Sequence, residues 1–371
     1  MESTVIYPFD SYSLPYIRHS KLLVKNKIAG VVSPPGWGTT GKDVSIIDGG
    51  TNTGIIVHDN FENVISGCYT VLFANSEIQI DHKKYIYPKV DLAIHMGKNI
   101  INTIPFTYDI VKDIEKECLK NNVSFVNYKL PINEDKFKNV SIENEYIFDI
   151  KKPVILVLGL CEGLDKFEIQ VALREDFLIK GYKVSQIGSR EGCELLGFHS
   201  FPEFMYSKSI SESNKVVLFN HFIKKIEETE NPDVVLIGVP GGIMPFNKII
   251  TNKFGILAYE ICQAVKPDAT VLSSYLYDDY DRLERLIYSL KYKFGIEVSC
   301  INISNKQIDF NEPWHDFKIH FITLDSKYVQ NKKQNLPQNI PTFNIINDED
   351  KSLMSDFLIS TLNKYACTEI I

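Results

Sequence analysis

Residues Pro153–Arg190 read PVILVLGLCEGLDKFEIQVALREDFLIKGYKVSQIGSR and decide the predicted fold of this chain. Their first part, Val154–Leu158, is continuously apolar, which is typical of a parallel strand buried on both faces. Two glycines follow, and apolar residues then recur at helical spacing as far as Phe177. The stretch therefore predicts a strand, a glycine-bearing loop, an amphipathic helix and a second strand.

The loop between this strand and this helix is a candidate anion site. Free backbone N–H groups and the helix dipole favour negative charge at such a place. Lys166 stands where a phosphate-binding lysine would be useful. The alternative is a structural turn in which Lys166 is solvated or salt-bridged. The candidate ligand-binding residues are Gly159, Cys161, Gly163, Asp165, Lys166 and Glu168.

The loop departs from the phosphate-binding pattern G-x-x-x-x-G-K-[ST]. In that pattern the glycine before the lysine lets the backbone close on the phosphates, and the hydroxyl holds magnesium. Here Asp165 replaces that glycine, Phe167 follows the lysine, and Leu160 takes the place of the first glycine. Asp165 and Glu168 also add negative charge that would repel a polyphosphate. We therefore expect a degenerate phosphate loop that binds an anion weakly and does not support NTP hydrolysis.

A second glycine pair follows the predicted strand Val234–Val239. In a doubly wound sheet the carboxyl ends of neighbouring strands face one crevice, which would place Gly241 and Gly242 beside the first loop. Arg190 would be the second cation of such a pocket, because its planar fork suits phosphate or carboxylate. The alternative is that the two glycines merely permit a tight turn.

The N-terminal half carries a long glycine-rich loop, PPGWGTTGKD at 34–43 and DGGTNTG at 48–54. Its Gly36–Lys42 segment matches G-x-x-x-x-G-K, but the residues that follow are too β-branched to open a helix. We interpret the loop either as a ligand or partner surface or as a structural loop whose glycines adopt positive φ angles. The residues of that candidate surface are Trp37, Lys42, Asp43 and Asp48.

The bulk composition suits a cytoplasmic α/β protein. The chain has 371 residues, 44% of them hydrophobic and 23% charged, which is an ordinary globular balance with room for two domains. Its net charge of −7 argues against nucleic acid as the main partner. Its apolar runs are shorter than the roughly 20 residues of a membrane helix, and no N-terminal signal is apparent.

The cysteines and histidines give no clear catalytic set. Seven cysteines without a C-x-x-C pair indicate reduced thiols rather than a disulfide framework or a zinc site. Cys161 is the one thiol whose pKa a helix N-terminus could lower, which makes it a minor candidate nucleophile opposed by Glu162 and Asp165. No H-E-x-x-H or G-x-S-x-G pattern appears, so no catalytic residue and no metal ligand is assigned.

The predicted fold class is α/β, with a Rossmann-like domain at 1–132, a polar linker at 133–152 and a P-loop-NTPase-like doubly wound domain at 153–371. Gln334–Pro341 is predicted to be a surface connection. The predicted strands of the first domain are Val5–Phe9, Ala29–Ser33, Gly54–His58, Thr70–Ala74 and Ser124–Asn127, with a helix at Tyr108–Asn121. Those of the second also include Thr270–Ser274 and Glu297–Asn302, with helices at Lys215–Glu228, Ile256–Val265, Asp281–Tyr292 and Asp348–Lys364.

Three stretches carry a resemblance to a known family. They are residues 159–190, LGFHSFPEF at 196–204 and PDVVLIGVPGGIMPF at 232–246, and the N-terminal YPFDSYSLPYIRHSKLL and VVSPPGWGTTGKD fit as well. Together they resemble clostridial peptide maturation system proteins, which occur in gene clusters for small ribosomally made peptides. The resemblance implies an accessory role in maturation of such a peptide. It implies the precursor peptide, a radical-SAM maturase or an acyl-carrier-like protein as partners.

A more distant resemblance is to a two-domain family, Rossmann-like and then P-loop, that includes D-glutamate N-acetyltransferase-type proteins. The family loop reads G-T-x-x-x-x-G-K-x-T, and a later strand ends in an acid. This chain keeps Gly159 and Lys166 but has Asp165 for the glycine, Glu168 for the threonine and Gly238 near the expected acid.

Two functions follow from these resemblances. One is a binding protein that holds an anionic ligand without hydrolysing NTP. The other is an ATP- or acyl-donor-dependent transferase or ligase acting on the peptide or a small amino acid. A nucleotide or another phosphorylated ligand is the candidate cofactor. A homo-oligomer is compatible with the sequence.

Overall fold

The computed structural model describes residues 1–129, 131–138, 140, 145–276, 280–309, 319–333 and 340–366. Most of the predicted connection Gln334–Pro341 lies outside these residues. The chain divides into two compact units. Unit 1 comprises Met1–Ile132 and Glu191–Ser200, and unit 2 comprises Asn133–Arg190 and Phe201–Ile371. No helix within the described residues is long and apolar enough to span a membrane.

Unit 1 is built on a six-stranded sheet in which all neighbouring strands are parallel. Its strands are β1 (Glu2–Tyr7), β2 (Asn26–Val32), β3 (Val57–His58), β4 (Thr70–Phe73), β5 (Asn99–Asn102) and β6 (Phe125–Asn127). They lie in the order β3-β2-β1-β4-β5-β6, which is the order found in Rossmann sheets. The first half of the chain therefore forms a parallel α/β sheet, as predicted.

The helices of unit 1 are α1 (Pro15–Arg18), α2 (Phe61–Ser66), α3 (Tyr87–His95) and α4 (Tyr108–Lys120). In α4, Val111, Ile114 and Cys118 recur at helical spacing and are buried in the same core as Val5 and Val71 of the sheet. Of these helices only α4 was predicted from the sequence; α1, α2 and α3 were not, and neither was the strand β5.

Unit 2 contains a second six-stranded parallel sheet. Its strands are β7 (Val154–Gly159), β8 (Val184–Ile187), β9 (Val234–Gly238), β10 (Ala269–Ser274), β11 (Cys300–Ile303) and β14 (Thr342–Phe343). Two further strands, β12 (Lys306–Ile308) and β13 (Phe321–Thr323), form a separate antiparallel pair. The order is β14-β11-β10-β7-β9-β8. β7 thus lies inside the sheet between β10 and β9, as its continuous apolar sequence predicts.

Helices cover both faces of this sheet. They are α5 (Lys166–Ile179), α6 (Glu212–Glu230), α7 (Ile256–Ala264), α8 (Tyr280–Phe294), α9 (Ser326–Lys333) and α10 (Asp348–Ala366). Leu158 of β7 joins the core that contains α6, α7 and α8, while Val157 joins the core that contains α5 and α10. Successive strand residues point to opposite faces, so the one apolar strand supplies both cores.

The polar stretch Asn133–Lys152 is held by unit 2 where it is described. The Asn220 side chain accepts from the Phe148 amide at 2.8 Å and donates to its carbonyl at 2.9 Å. Glu227 Oε1 accepts from the amides of Lys151 and Lys152 at 2.6 and 2.7 Å. α6 therefore fixes the chain directly before β7.

The segment Glu191–Ser200 packs within unit 1 near the carboxyl end of β5. A Cβ added to Gly192 would lie 2.8 Å from Thr103 Cγ2 and 3.2 Å from Tyr16 Oη, so only glycine fits there. The carbonyl of Leu195 accepts from the amide of Val24 at 3.2 Å. Unit 1 is therefore assembled from two separate pieces of chain.

Candidate functional site

Lys166 lies at the start of α5, directly after the loop Leu160–Asp165. It is buried, and its Nζ donates to the Val239 carbonyl at 3.2 Å and also to the Gly241 carbonyl. Burial lowers the pKa of Lys166 to about 8, while the nearby Glu162 carboxylate opposes that shift. Backbone carbonyls of Val239 and Gly241 therefore hold the ammonium group of Lys166.

Gly159 gives the Lys166 side chain its path across the end of β7. A Cβ at this position would lie 2.5 Å from Lys166 Cδ and 2.9 Å from its Cγ. The glycine predicted as part of the loop is thus needed for the approach of the lysine.

Asp165 has a left-handed backbone conformation, at the position where the phosphate-loop pattern has a glycine. Its φ of 48° and ψ of 13° lie in the left-handed region, which glycine adopts without steric cost and aspartate tolerates. Its carboxylate accepts from Ser304 Oγ at 2.5 Å and lies 3.9 Å from Lys306 Nζ. Lys306 also donates to the Gly163 carbonyl at 2.6 Å. The loop therefore carries a carboxylate, and Lys306 of β12 supplies a counter-charge.

The space beyond Gly238 is filled by Gln170. A Cβ at 238 would lie 1.9 Å from Gln170 Oε1, so the expected acid at the end of β9 has no room. Gln170 is fully buried, donates to the Lys166 carbonyl at 2.8 Å and to Ser189 Oγ at 3.0 Å, and accepts from the Ser189 amide at 3.1 Å.

The sequence analysis missed Gln170. The available signal was a single amide residue among the apolar residues of the helix.

The structure brings the second glycine pair next to the first loop. The Ile243 amide donates to the Gly159 carbonyl at 3.2 Å. A Cβ on Gly242 would lie 2.8 Å from the Leu160 carbonyl oxygen, and Gly241 has a φ of +73°. The two glycines thus permit both a tight turn and the close approach of the two loops.

A left-handed turn holds this pair of loops in place. Asn252, Lys253, Phe254 and Gly255 have φ values of 46°, 50°, 58° and 68°. Asn252 Nδ2 donates to the Met244 carbonyl at 2.8 Å and to the Leu160 carbonyl at 3.4 Å. Four consecutive residues in this conformation are costly for L-amino acids, so the surrounding contacts must impose it.

Arg190, the predicted second cation of the loop, lies against Phe167. Its guanidinium carbon lies 3.5 Å from the ring centroid of Phe167, a cation–π contact. Phe167 follows the lysine where a magnesium-binding hydroxyl stands in the phosphate-loop pattern. Glu168, the other predicted residue of this turn, is buried in the first turn of α5.

The loop offers backbone donors to an anion. Among the described residues, no group accepts a hydrogen bond from the amides of Cys161, Glu162 or Gly163. These amides precede the N-terminus of α5, where the helix dipole favours negative charge. The described residues contain no group of three or more His, Cys, Asp or Glu side chains that could hold a metal ion.

Cys161 does not have the lowered pKa that its position suggested. The residue is fully buried, and burial raises the pKa of its thiol to about 12 against the opposing charges of Lys166 and Lys306. The helix N-terminus does not offset this desolvation, so the thiol stays protonated at neutral pH.

We expect Cys161 to react with iodoacetamide at least about 100-fold more slowly in the native protein than in urea, because both burial and the high pKa suppress the thiolate. Peptide mass spectrometry would measure its labelling. Rapid native labelling of Cys161 would contradict this assignment.

The carboxylates of the N-terminal glycine-rich loop make internal hydrogen bonds. Burial opposes the charge of Asp43, but hydrogen bonds from Ser45, Thr53 and Gly54 lower its pKa to about 2. Asp48 accepts two hydrogen bonds from Arg18, at 2.5 and 2.6 Å.

The other two residues of that candidate surface are less constrained. Trp37 is half-buried and Lys42 is exposed. A role of this loop in partner binding stays a prediction.

Comparison with a DUF1611 family protein supports the fold. No protein-family model and no curated protein matches the chain. A DUF1611 family protein from Anabaena variabilis is similar with a TM-score of 0.63 and 11% identity, covering 97% of this chain and 100% of that chain. Apo McdA from Cyanothece has a TM-score of 0.32 and 12% identity, covering 57% of this chain and 93% of that chain. An apo GTPase from Pyrococcus abyssi has a TM-score of 0.30 and 13% identity, covering 58% and 98%.

The likeness to the DUF1611 family protein extends over both units, and at this level of identity it shows the fold alone. None of the comparisons tests the resemblance to clostridial peptide maturation proteins.

Proposed function

We propose that unit 2 is a P-loop-derived module that binds a small anion and does not hydrolyse NTP. Its anion donors would be the backbone amides of the degenerate phosphate loop and the ammonium group of Lys166. The carbonyls of Val239 and Gly241 accept hydrogen bonds from that ammonium group. A bound anion would compete with these carbonyls for the ammonium group.

The contact between Gly238 and Gln170 carries this proposal. NTP hydrolysis by this class of site needs a hydroxyl and an acid to hold magnesium. The position after Lys166 is occupied by Phe167, which stacks with Arg190. The acid position has no space, because a Cβ there would overlap the Gln170 amide. Neither Phe167 nor Gly238 offers an oxygen ligand from its side chain to magnesium, which supports the proposal.

The biological setting rests on sequence resemblance alone. We propose an accessory role in maturation of a ribosomally made peptide, with the precursor peptide, a radical-SAM maturase or an acyl-carrier-like protein as partner. The loop containing Trp37 would be the partner surface. The alternative is an ATP- or acyl-donor-dependent transferase, in which Lys166 would neutralise phosphate or thioester charge.

We expect inorganic phosphate and ADP to bind the purified protein in calorimetry, and Lys166→Met to weaken binding at least about tenfold, since one charge-assisted contact is lost. Magnesium-dependent ATP turnover should be absent. Because a lysine is charged only below its pKa, the affinity should fall as the pH rises through about 8, the pKa of Lys166.

Lys120→Met is the matched control for this experiment. Lys120 is an exposed lysine at the end of α4, and its removal should change neither affinity nor pH dependence. Magnesium-stimulated ATP hydrolysis that Lys166→Met abolishes would favour the transferase instead. Anion binding that is equal in the wild type and in Lys166→Met would remove the loop from the site.

A further inference from the structure

We infer that Lys306 is the second cation of the anion site, and that the carboxylate of Asp165 occupies the place of the ligand until a phosphate group displaces it. This inference rests on the proposed function and deepens it. It replaces Arg190 by Lys306 in the predicted site and makes Asp165 an internal competitor of the ligand.

The position of Lys306 supports this assignment. The residue begins β12 and is about as buried as Asp165, with side-chain exposures of 11% and 10%. Its Nζ donates to the Gly163 carbonyl at 2.6 Å, so the ammonium lies on the loop itself. The ring of Phe321 on β13 covers Gly163, since a Cβ there would lie 3.1 Å from Phe321 Cε2. The β12–β13 pair therefore packs against the loop and delivers a positive charge to it.

The geometry of Asp165 is that of a carboxylate bound as an anion. Ser304 Oγ donates to Oδ2 at 2.5 Å, and Lys306 Nζ lies 3.9 Å from Oδ1. A hydroxyl and an ammonium are the donors that bind phosphate oxygens elsewhere in proteins. An ion pair at 3.9 Å is long for a charge-assisted hydrogen bond, so a better-placed anion can compete for the ammonium.

Arg190 is less suited to this role. Its guanidinium carbon lies 3.5 Å from the centroid of the Phe167 ring, so this cation already stacks on a side chain of the helix. Lys306 already lies beside the Asp165 carboxylate, the place that we infer for the anion. We assign a single phosphoryl group to this place, because the loop resembles the phosphate-loop pattern.

The test is phosphate binding by Asp165→Asn. Asparagine has the same shape and tolerates the left-handed conformation, so the loop should be retained while the competing charge is removed. We expect the affinity for inorganic phosphate to rise at least about tenfold over the wild type, because one nearby negative charge is lost. Adding Lys306→Met to Asp165→Asn should abolish this gain.

Two control variants separate the site from general charge effects. Asp176→Asn removes another carboxylate of α5, which lies 2.6 Å from Lys180 Nζ. Lys224→Met removes a partly buried lysine whose Nζ lies 2.5 Å from the Glu227 carboxylate. Neither should alter phosphate affinity. Titration with acetate tests whether the site prefers a carboxylate ligand to a phosphoryl group. We expect acetate to bind more weakly than phosphate.

The outcomes distinguish this inference from the proposed function. If the wild type binds phosphate through Lys166 but Asp165→Asn shows no gain, or Lys306→Met has no effect, the inference is wrong and the proposed function stands. If neither the wild type nor Asp165→Asn binds phosphate or ADP while both are folded by circular dichroism, both are wrong. Acetate binding as tight as phosphate would overturn the assignment to a phosphoryl group.

Discussion

Gly238→Ala is expected to lower the free energy of unfolding by about 3 kcal/mol, although it adds one methyl group. The new Cβ would lie 1.9 Å from Gln170 Oε1. The Gln170 side chain can avoid this methyl group only by breaking its hydrogen bonds to Lys166 and Ser189. Gln170 is fully buried, so water cannot replace these partners. Each buried polar group that loses its partner costs about 1–3 kcal/mol. Urea denaturation followed by far-UV circular dichroism would measure the loss.

The second substitution of this test is Gln170→Ala, which removes the amide that the methyl group meets. In that background Gly238→Ala should cost about 2 kcal/mol less than in the wild type, a coupling typical of residues in contact. Gly67→Ala is the matched control, because nothing lies within 4 Å of its Cβ and its φ of −91° is open to alanine. An additive double mutant would show that Gln170 does not fill the acid position.

Gly255→Ala is expected to be still more damaging, with a loss of about 4 kcal/mol. Alanine at its φ of +68° costs about 1 kcal/mol from the backbone alone. The added Cβ would also lie 2.0 Å from the Ile243 carbonyl oxygen and 2.5 Å from its carbon. These are backbone atoms that cannot rotate away, so the loop Val239–Met244 must move. The same urea experiment measures this loss.

Gly295→Ala separates the two causes. Gly295 has a φ of +71°, and nothing lies within 4 Å of its Cβ. Its replacement should therefore cost only about 1 kcal/mol, from the left-handed conformation alone. Equal losses at 255 and 295 would show that the left-handed turn does not press against the loop that holds Lys166.

The main elements of unit 2 were predictable because their signals are local. β7 and β9 are unbroken apolar runs, and α5 repeats apolar residues at helical spacing. In unit 1, β5 contains only two apolar residues, and the second residue of α3 is a proline. Neither element was therefore recognised from the sequence. The short strand β14 has the same difficulty, since two residues carry no periodicity.

The site was less predictable, because its decisive contacts join residues far apart in sequence. Gly159 and Lys166 follow from one short pattern. Lys306 lies 143 residues from its hydrogen-bond partner Gly163, and nothing in its sequence neighbourhood indicates that contact. Asp165 was predicted to be a candidate ligand-binding residue and a source of repulsion, but its contact with Lys306 was not predicted, because the sequence does not show which cation lies near a carboxylate.

The division of unit 1 into two pieces decides how the protein can be dissected. A recombinant fragment that ends at Ile132 lacks Glu191–Ser200, and so lacks the residues that cover Thr103 and Tyr16. Such a fragment would expose a surface that the whole chain buries. An isolated unit 1 therefore needs this ten-residue segment joined back by a short linker. Cleavage of the whole chain on both sides of Glu191–Ser200 would remove a segment of unit 1 from within the sequence of unit 2.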